Sequence, residues 1–134
     1  MKLTEESYVE CAELAIKNLC KREDGKRNYP DLVTTSKIRN LLAMTASIYN
    51  EVLNCQSEEL SKDLIGRINY LKIRFVYEAG RETQVRKLIE EADILAALDE
   101  IRGKRSRYIL FSRYMEALVA YRKFYGNIYG NRDE

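Results

Sequence analysis

Apolar side chains recur along this chain at intervals of three and four residues, the spacing that gathers them on one face of an α-helix. Tyr8, Cys11, Leu14 or Ala15, and Leu19 mark a first helix that Thr4 can cap and that runs to about Cys20. The charged stretch "KREDGKRNYPDL" follows with Gly25 and Pro30, which predicts a long exposed connection over 21–33. Next, "VTTSKIRNLLAMTASIYNEVLN" opens with three capping hydroxyls, Thr34, Thr35 and Ser36. It then carries Ile38, Leu41, Leu42, Thr45, Ile48, Tyr49 and Val52 on one nearly apolar face, the clearest amphipathic helix in the chain. Ser57 is the predicted cap of a third helix that ends near Ala79, with Leu60, Leu64, Ile68, Leu71 and Phe75 as its core stripe and Gly80 as its terminator.

After a break at Gly80–Thr83, helical phase continues through Val85, Leu88, Ile89, Ala92, Leu95 and Ala96, and Gly103 suits the residue just past a helix end. Asp93 could cap a separate short helix, so this part reads as one helix or two. From Ser106 the last helix is apolar over a wide arc: Tyr108, Ile109, Leu110, Phe111, Tyr114, Met115, Leu118, Val119, Tyr121, Phe124 and Tyr125. A helix of that kind is either central in its bundle or shared with a partner. The tail 126–134 is expected to be loose. Together these elements predict an all-α fold, a compact bundle of about five or six helices in one domain spanning 1–134, with no internal repeat.

Composition sharpens this picture mostly by exclusion. The chain has 134 residues, 46% hydrophobic and 33% charged, with one proline and six glycines, too few turn residues for a sheet sandwich. Net charge is only +2, so any nucleic-acid contact must be concentrated in a patch. No secretory leader and no apolar run near the ~18 residues of a transmembrane helix can be read, which predicts a cytoplasmic protein with no membrane partner. Three cysteines without a CxxC pair predict reduced thiols used as small apolar residues. Histidine is absent, which removes the commonest general base and the commonest transition-metal ligand together. GxxxxGK[ST], GxGxxG, GxSxG and HExxH are all missing. The acidic group Glu90, Glu91, Asp93, Asp99 and Glu100 is the remaining place for acid–base chemistry, but adjacent Glu90 and Glu91 point in different directions. The sequence therefore predicts no enzyme: no catalytic residue, no metal and no cofactor.

Basic residues are more informative. In "RINYLKIRFVYEAGR" (67–81), Arg67, Tyr70, Arg74, Tyr77 and Arg81 follow one another at spacings of three and four. At ~100° per residue this stripe lies about a quarter turn from the core stripe of the third helix. Guanidinium groups there could clamp phosphates while tyrosines support sugar or base; the same pattern also describes an ordinary solvated flank. Lys37 and Arg39 fall in the first turn of the second helix, whose free N–H groups add partial positive charge. The basic loop "RGKRSR" (102–107) could also touch phosphate.

Three segments, "LVTTSKIRNLL" (32–42), "LKIRFVYEAGRE" (71–82) and "YMEALVAYRKFYG" (114–126), resemble, in the same order, the marker segments of the small subunit of type III-A CRISPR effector complexes, the Csm complexes. The ending "FYGNIYGN" departs from that pattern, which is shorter and richer in glycine and lysine. The resemblance implies a non-catalytic helical bundle whose copies stack inside a ribonucleoprotein filament. Its implied partners are guide and target RNA, the other subunits and further copies of itself. Carried over residue by residue, it implies RNA contact for Lys37, Arg39, Lys72, Arg74 and Arg81, with Tyr77 matching the family's tyrosine. Arg67 and Tyr70 lie outside the pattern and rest on the stripe alone. In isolation the chain could be a monomer or a homodimer made by exchanging helices about hinges at 21–33 or Gly80. The alternative reading is a helical adaptor whose basic stripe meets an acidic protein.

Overall fold

The hydrophobic periodicity resolves into six α-helices in the computed structural model, which describes residues 2–20 and 32–128. They are α1 (Tyr8–Leu19), α2 (Thr35–Asn54), α3 (Lys62–Arg81), α4 (Thr83–Glu91), α5 (Ile94–Asp99) and α6 (Arg105–Ile128). Among the described residues there is no strand, only one isolated bridge between Glu59 and Lys104. No described helix is long and apolar enough to cross a membrane.

Helix starts follow the side chains that can satisfy free N–H groups. Thr4 caps the turn leading into α1, its Oγ1 accepting from the Ser7 N–H at 3.1 Å while Tyr8 N–H reaches Thr4 O at 3.0 Å. Thr34 caps α2 by accepting from Lys37 N–H at 3.2 Å. The third helix begins four residues later than predicted: Ser61, not Ser57, accepts from Leu64 N–H at 3.2 Å. Residues 58–60 are held by another backbone instead. Leu60 N–H donates to Gly103 O at 2.9 Å, and Arg105 N–H to Glu58 O at 2.8 Å. Glu58 also closes the start of α6, accepting from Ser106 N–H at 3.0 Å and from the Ser106 hydroxyl. Those two bonds hold the Glu58 carboxyl below the usual carboxylate range.

Gly80 does not terminate α3, which runs on through Arg81 to a break at extended Glu82. The hinge expected at Gly80 is therefore helical, and the other, at 21–33, lies mostly outside the described residues. Residues 83–99 form two helices, parted where Asp93 takes the left-handed conformation (φ 53°) without a side-chain cap bond. Gly103 sits beyond the C-cap of α5, in a turn at φ +70° where an added Cβ would stand 3.0 Å from Ile65 Cδ1. The last helix extends to Ile128, so the first three residues of the expected loose tail are helical and the rest lies outside the described residues.

α6 is the centre of the bundle. It packs along α1 on one side and α2 on the other, while α3 lies on α2 and α4, and α4 returns to α1. Tyr108, Leu110, Phe111, Tyr114, Met115, Leu118 and Tyr125 are buried, joining Ile16, Ile38, Leu41, Phe75, Leu88 and Ile94 in one core. The wide apolar arc is thus used mainly inside the chain, with Phe124 and Ile128 left exposed. Cys20 is buried as a small apolar residue, and burial pushes its thiol up; Cys11 and Cys55 are half-buried, and all three are free. Arg122 is also buried, with Nε donating to Val33 O at 2.5 Å.

Candidate nucleic-acid interface

The basic residues of α2 and α3 meet because these helices lie side by side in opposite directions. Near one end, Ser36, Lys37, Arg39, Asn40 and Leu41 of α2 share a cleft of about 440 Å³ with Glu78 and Arg81 of α3 and with Glu82 and Val85 beyond them. Further along, Met44, Ser47 and Ile48 of α2 face Arg67, Tyr70, Leu71 and Arg74 of α3 across a second hollow. The two hollows follow one seam between the helices. From Arg67 to Arg81 it covers ~21 Å at the usual helical rise.

Leu64, Ile68, Leu71, Phe75 and Glu78 are the buried face of α3, so the predicted stripe flanks the core as its spacing requires. Tyr70 and Tyr77 are 59% and 60% exposed, standing in solvent rather than half-buried. Arg39 and Arg74 are exposed, and among the described residues neither has an ion-pair or hydrogen-bond partner. The remaining candidates are paired. Lys37 Nζ lies 3.1 Å from Glu82 Oε2, and Arg81 Nη2 lies 3.7 Å from Glu78 Oε2 and 4.0 Å from Glu82 Oε1. Arg67 bonds Glu51, and Lys72 Nζ donates to Asp99 Oδ1 at 2.6 Å.

Lys72 is not brought to the seam. It lines a separate hollow on the other flank of α3, with Asn69, Asp99 and Arg102. The basic loop likewise faces away: Lys104 pairs with Glu59, Arg105 donates to Val52 O and Leu53 O, and Arg107 donates to Leu3 O. Three of its cations thus serve the fold, and the fourth, Arg102, is exposed and unpaired among the described residues. The acidic side chains of 90–100 do not converge either. Glu90 pairs with Arg86, Glu91 accepts from Asn18, Asp99 holds Lys72, and Glu100 accepts from Leu3 N–H. Among the described residues no three of Cys, Asp and Glu gather as a metal site.

Sequence reasoning missed two features of this surface. Carboxylates from other segments sit beside three of the eight candidates, Lys37, Arg67 and Lys72, pairings that depend on which helices become neighbours. Ile73 and Val76 are 61% and 48% exposed beside the tyrosines, forming an apolar ridge on the outer side of α3. The signal for that ridge was available, since Ile73 lies opposite Phe75 and Leu71 on a helical wheel.

The family model for Csm2 of type III-A matches residues 14–127. A protein of Streptococcus thermophilus named CRISPR system Cms protein Csm2 is 50% identical over 124 residues, which cover 92% of this chain and 95% of that one. A protein of the same name from Mycobacterium tuberculosis (strain CDC 1551 / Oshkosh) is 36% identical with the same coverage. One from Enterococcus italicus is 42% identical over 95 residues, 69% of this chain and 68% of that one.

Proposed function

The chain belongs to the Csm2 family, the small subunit of type III-A CRISPR effector complexes, and on that premise we propose that it is a non-catalytic subunit contacting the guide–target RNA duplex through the α2/α3 seam. The observation that carries this reading is the pair Arg39 and Arg74, both exposed and without a partner among the described residues, one in each of the two hollows along the seam. Lys37, Arg67 and Arg81 lie along the same groove, with Tyr70 and Tyr77 standing beside it. Such a surface grips phosphate and follows duplex shape without reading base edges. A net charge of +2 suffices because copies stacked along a filament multiply a few contacts each. The exposed Ile73–Val76 ridge, with Phe124 and Ile128, is offered to other subunits and to further copies of the chain. A cytoplasmic location goes with this role.

The exposed basic stripe also fits the second reading, an adaptor that meets an acidic protein, and a salt series separates the two. RNA binding is measured for the purified chain, alone and with the guide-loaded backbone subunits, beside Arg39→Ala and Arg74→Ala. Each substitution is expected to lower the slope of log K against log salt by ~0.7–0.9, equally for unrelated RNA sequences. An unchanged slope for both would take the seam off the RNA and leave the adaptor reading in front.

A further inference from the structure

The seam holds its own anions at one end. Glu82 bridges cations of two helices, 3.1 Å from Lys37 of α2 and 4.0 Å from Arg81 of α3, and Glu78 adds a second carboxylate 3.7 Å from Arg81. The Glu78 side chain is only 10% exposed, so this part of the cleft is partly screened from water. Glu82 also occupies the N-cap position of α4, yet its side chain makes no cap bond there, and the first turn of α4 contains no acid. A carboxylate at a helix N-terminus is favoured by the free N–H groups and the helix dipole. Here it turns instead to the two cations, so the cleft overrides the local preference.

Resting on the RNA-contact reading above, we propose that Glu82 is an internal stand-in for phosphate: it neutralises Lys37 and Arg81 in the free chain and is displaced when an RNA phosphate enters. Glu82 thereby sets how tightly, and with what salt dependence, this end of the seam binds. Each phosphate that displaces it releases counterions from RNA, but the freed carboxylate gathers cations again. The wild-type salt slope is therefore shallower than the number of phosphate contacts alone would give. Charge neutralisation here does not weaken discrimination. It makes a lone phosphate a poor competitor, while a polyanion that also engages Arg39 and Arg74 wins.

The test is binding of a short labelled RNA duplex to the full chain, alone and in the reconstituted complex, across a salt series. Glu82→Gln keeps the shape and removes the charge; Glu116→Gln, an exposed acid on α6 outside the seam, controls for net charge. Arg39→Ala reports the seam itself, and thermal unfolding checks that each variant folds. Glu82→Gln should bind about two- to fivefold tighter at moderate salt, as expected for freeing a partly exposed ion pair. Its slope should steepen by up to ~0.7. Glu116→Gln should match wild type, and Arg39→Ala should weaken binding. If Arg39→Ala weakens binding but Glu82→Gln equals or falls below wild type, Glu82 only positions Lys37 and the proposal is overturned. Equal tightening in both glutamine variants reduces it to bulk charge and overturns it too. Indifference to Arg39→Ala and to Arg74→Ala, measured alongside, removes the RNA contact itself, and this inference with it.

Discussion

Tyr108 and Tyr114 show how much a single buried hydroxyl can bind together. Both rings are fully enclosed on α6, and each phenol donates to a main-chain oxygen of another helix or turn: Tyr108 to Thr45 O at 2.6 Å and Tyr114 to Ala92 O at 2.7 Å. Burial raises the ionisation of both phenols well above its ordinary position. The sign follows directly. Unfolded tyrosine ionises near pH ~10, whereas the folded chain keeps these phenols neutral to higher pH. Their contribution to stability is complete below that point and is lost as pH rises from it towards the folded values, by ~1.4 kcal/mol per pH unit for each phenol. Urea unfolding of wild type should therefore hold steady towards pH ~10 and weaken above it. Tyr114→Phe should be ~1 kcal/mol less stable near neutrality, with a gentler alkaline decline. An alkaline decline as steep as wild type's would clear Tyr114 of this role. Periodicity put both tyrosines on the buried arc, but their hydrogen-bond partners could not be read, because Thr45 and Ala92 reach them only through tertiary packing.

At the scale of elements, the amphipathic faces of α2, α3 and α6 were legible because burial imposes their period directly on the sequence. The start of α2 was legible at Thr34, whereas α1 begins later than a cap at Thr4 implies: Ser7 holds its N-cap position without a side-chain cap bond, and Thr4 bonds the preceding turn. At the start of α3 two serines compete. Ser61 wins because residues 58–60 are drawn into backbone bonds with 103–105, a pairing that no local pattern announces. Ser61→Ala should accordingly cost ~1 kcal/mol in chemical denaturation, and Ser57→Ala only a few tenths. The reverse order would return the cap to Ser57. Glycine misled at position 80, which has open space around it and lies within α3, whereas Gly103 is required by both its φ and its neighbour Ile65. The double role open to α6 resolved towards the centre, since its neighbours on both sides belong to the same chain.

For the whole molecule, the decisive fact is distribution of charge rather than its sum. A net charge of +2 conceals a groove with five cations along it, while Lys72 and the 102–107 loop face elsewhere. The sequence stripe correctly flanked the core, and the α2 residues joined it only because the helices run antiparallel. Opposing acids such as Glu51 and Glu82 stayed hidden for the same reason. Ile73 belongs to this scale because it contacts solvent and not the core. Ile73→Glu should leave unfolding free energy within ~0.5 kcal/mol of wild type while reducing co-assembly with the other subunits in a pull-down. Undiminished assembly would show that the ridge is not a contact.

The bonds joining 58–60 to 103–105 carry a consequence for variation over evolutionary time. They run between main-chain atoms, so the neck from which α3, α4 and α5 extend is specified largely without side-chain identity. The exposed Glu59–Lys104 ion pair adds little to these bonds, so the side chains at 59 and 104 can drift while the helix that bears the arginines keeps its place, with Gly103 as the fixed point. Substitution can thus retune the α2/α3 groove from its rims, one charge at a time, without remaking the frame that holds it.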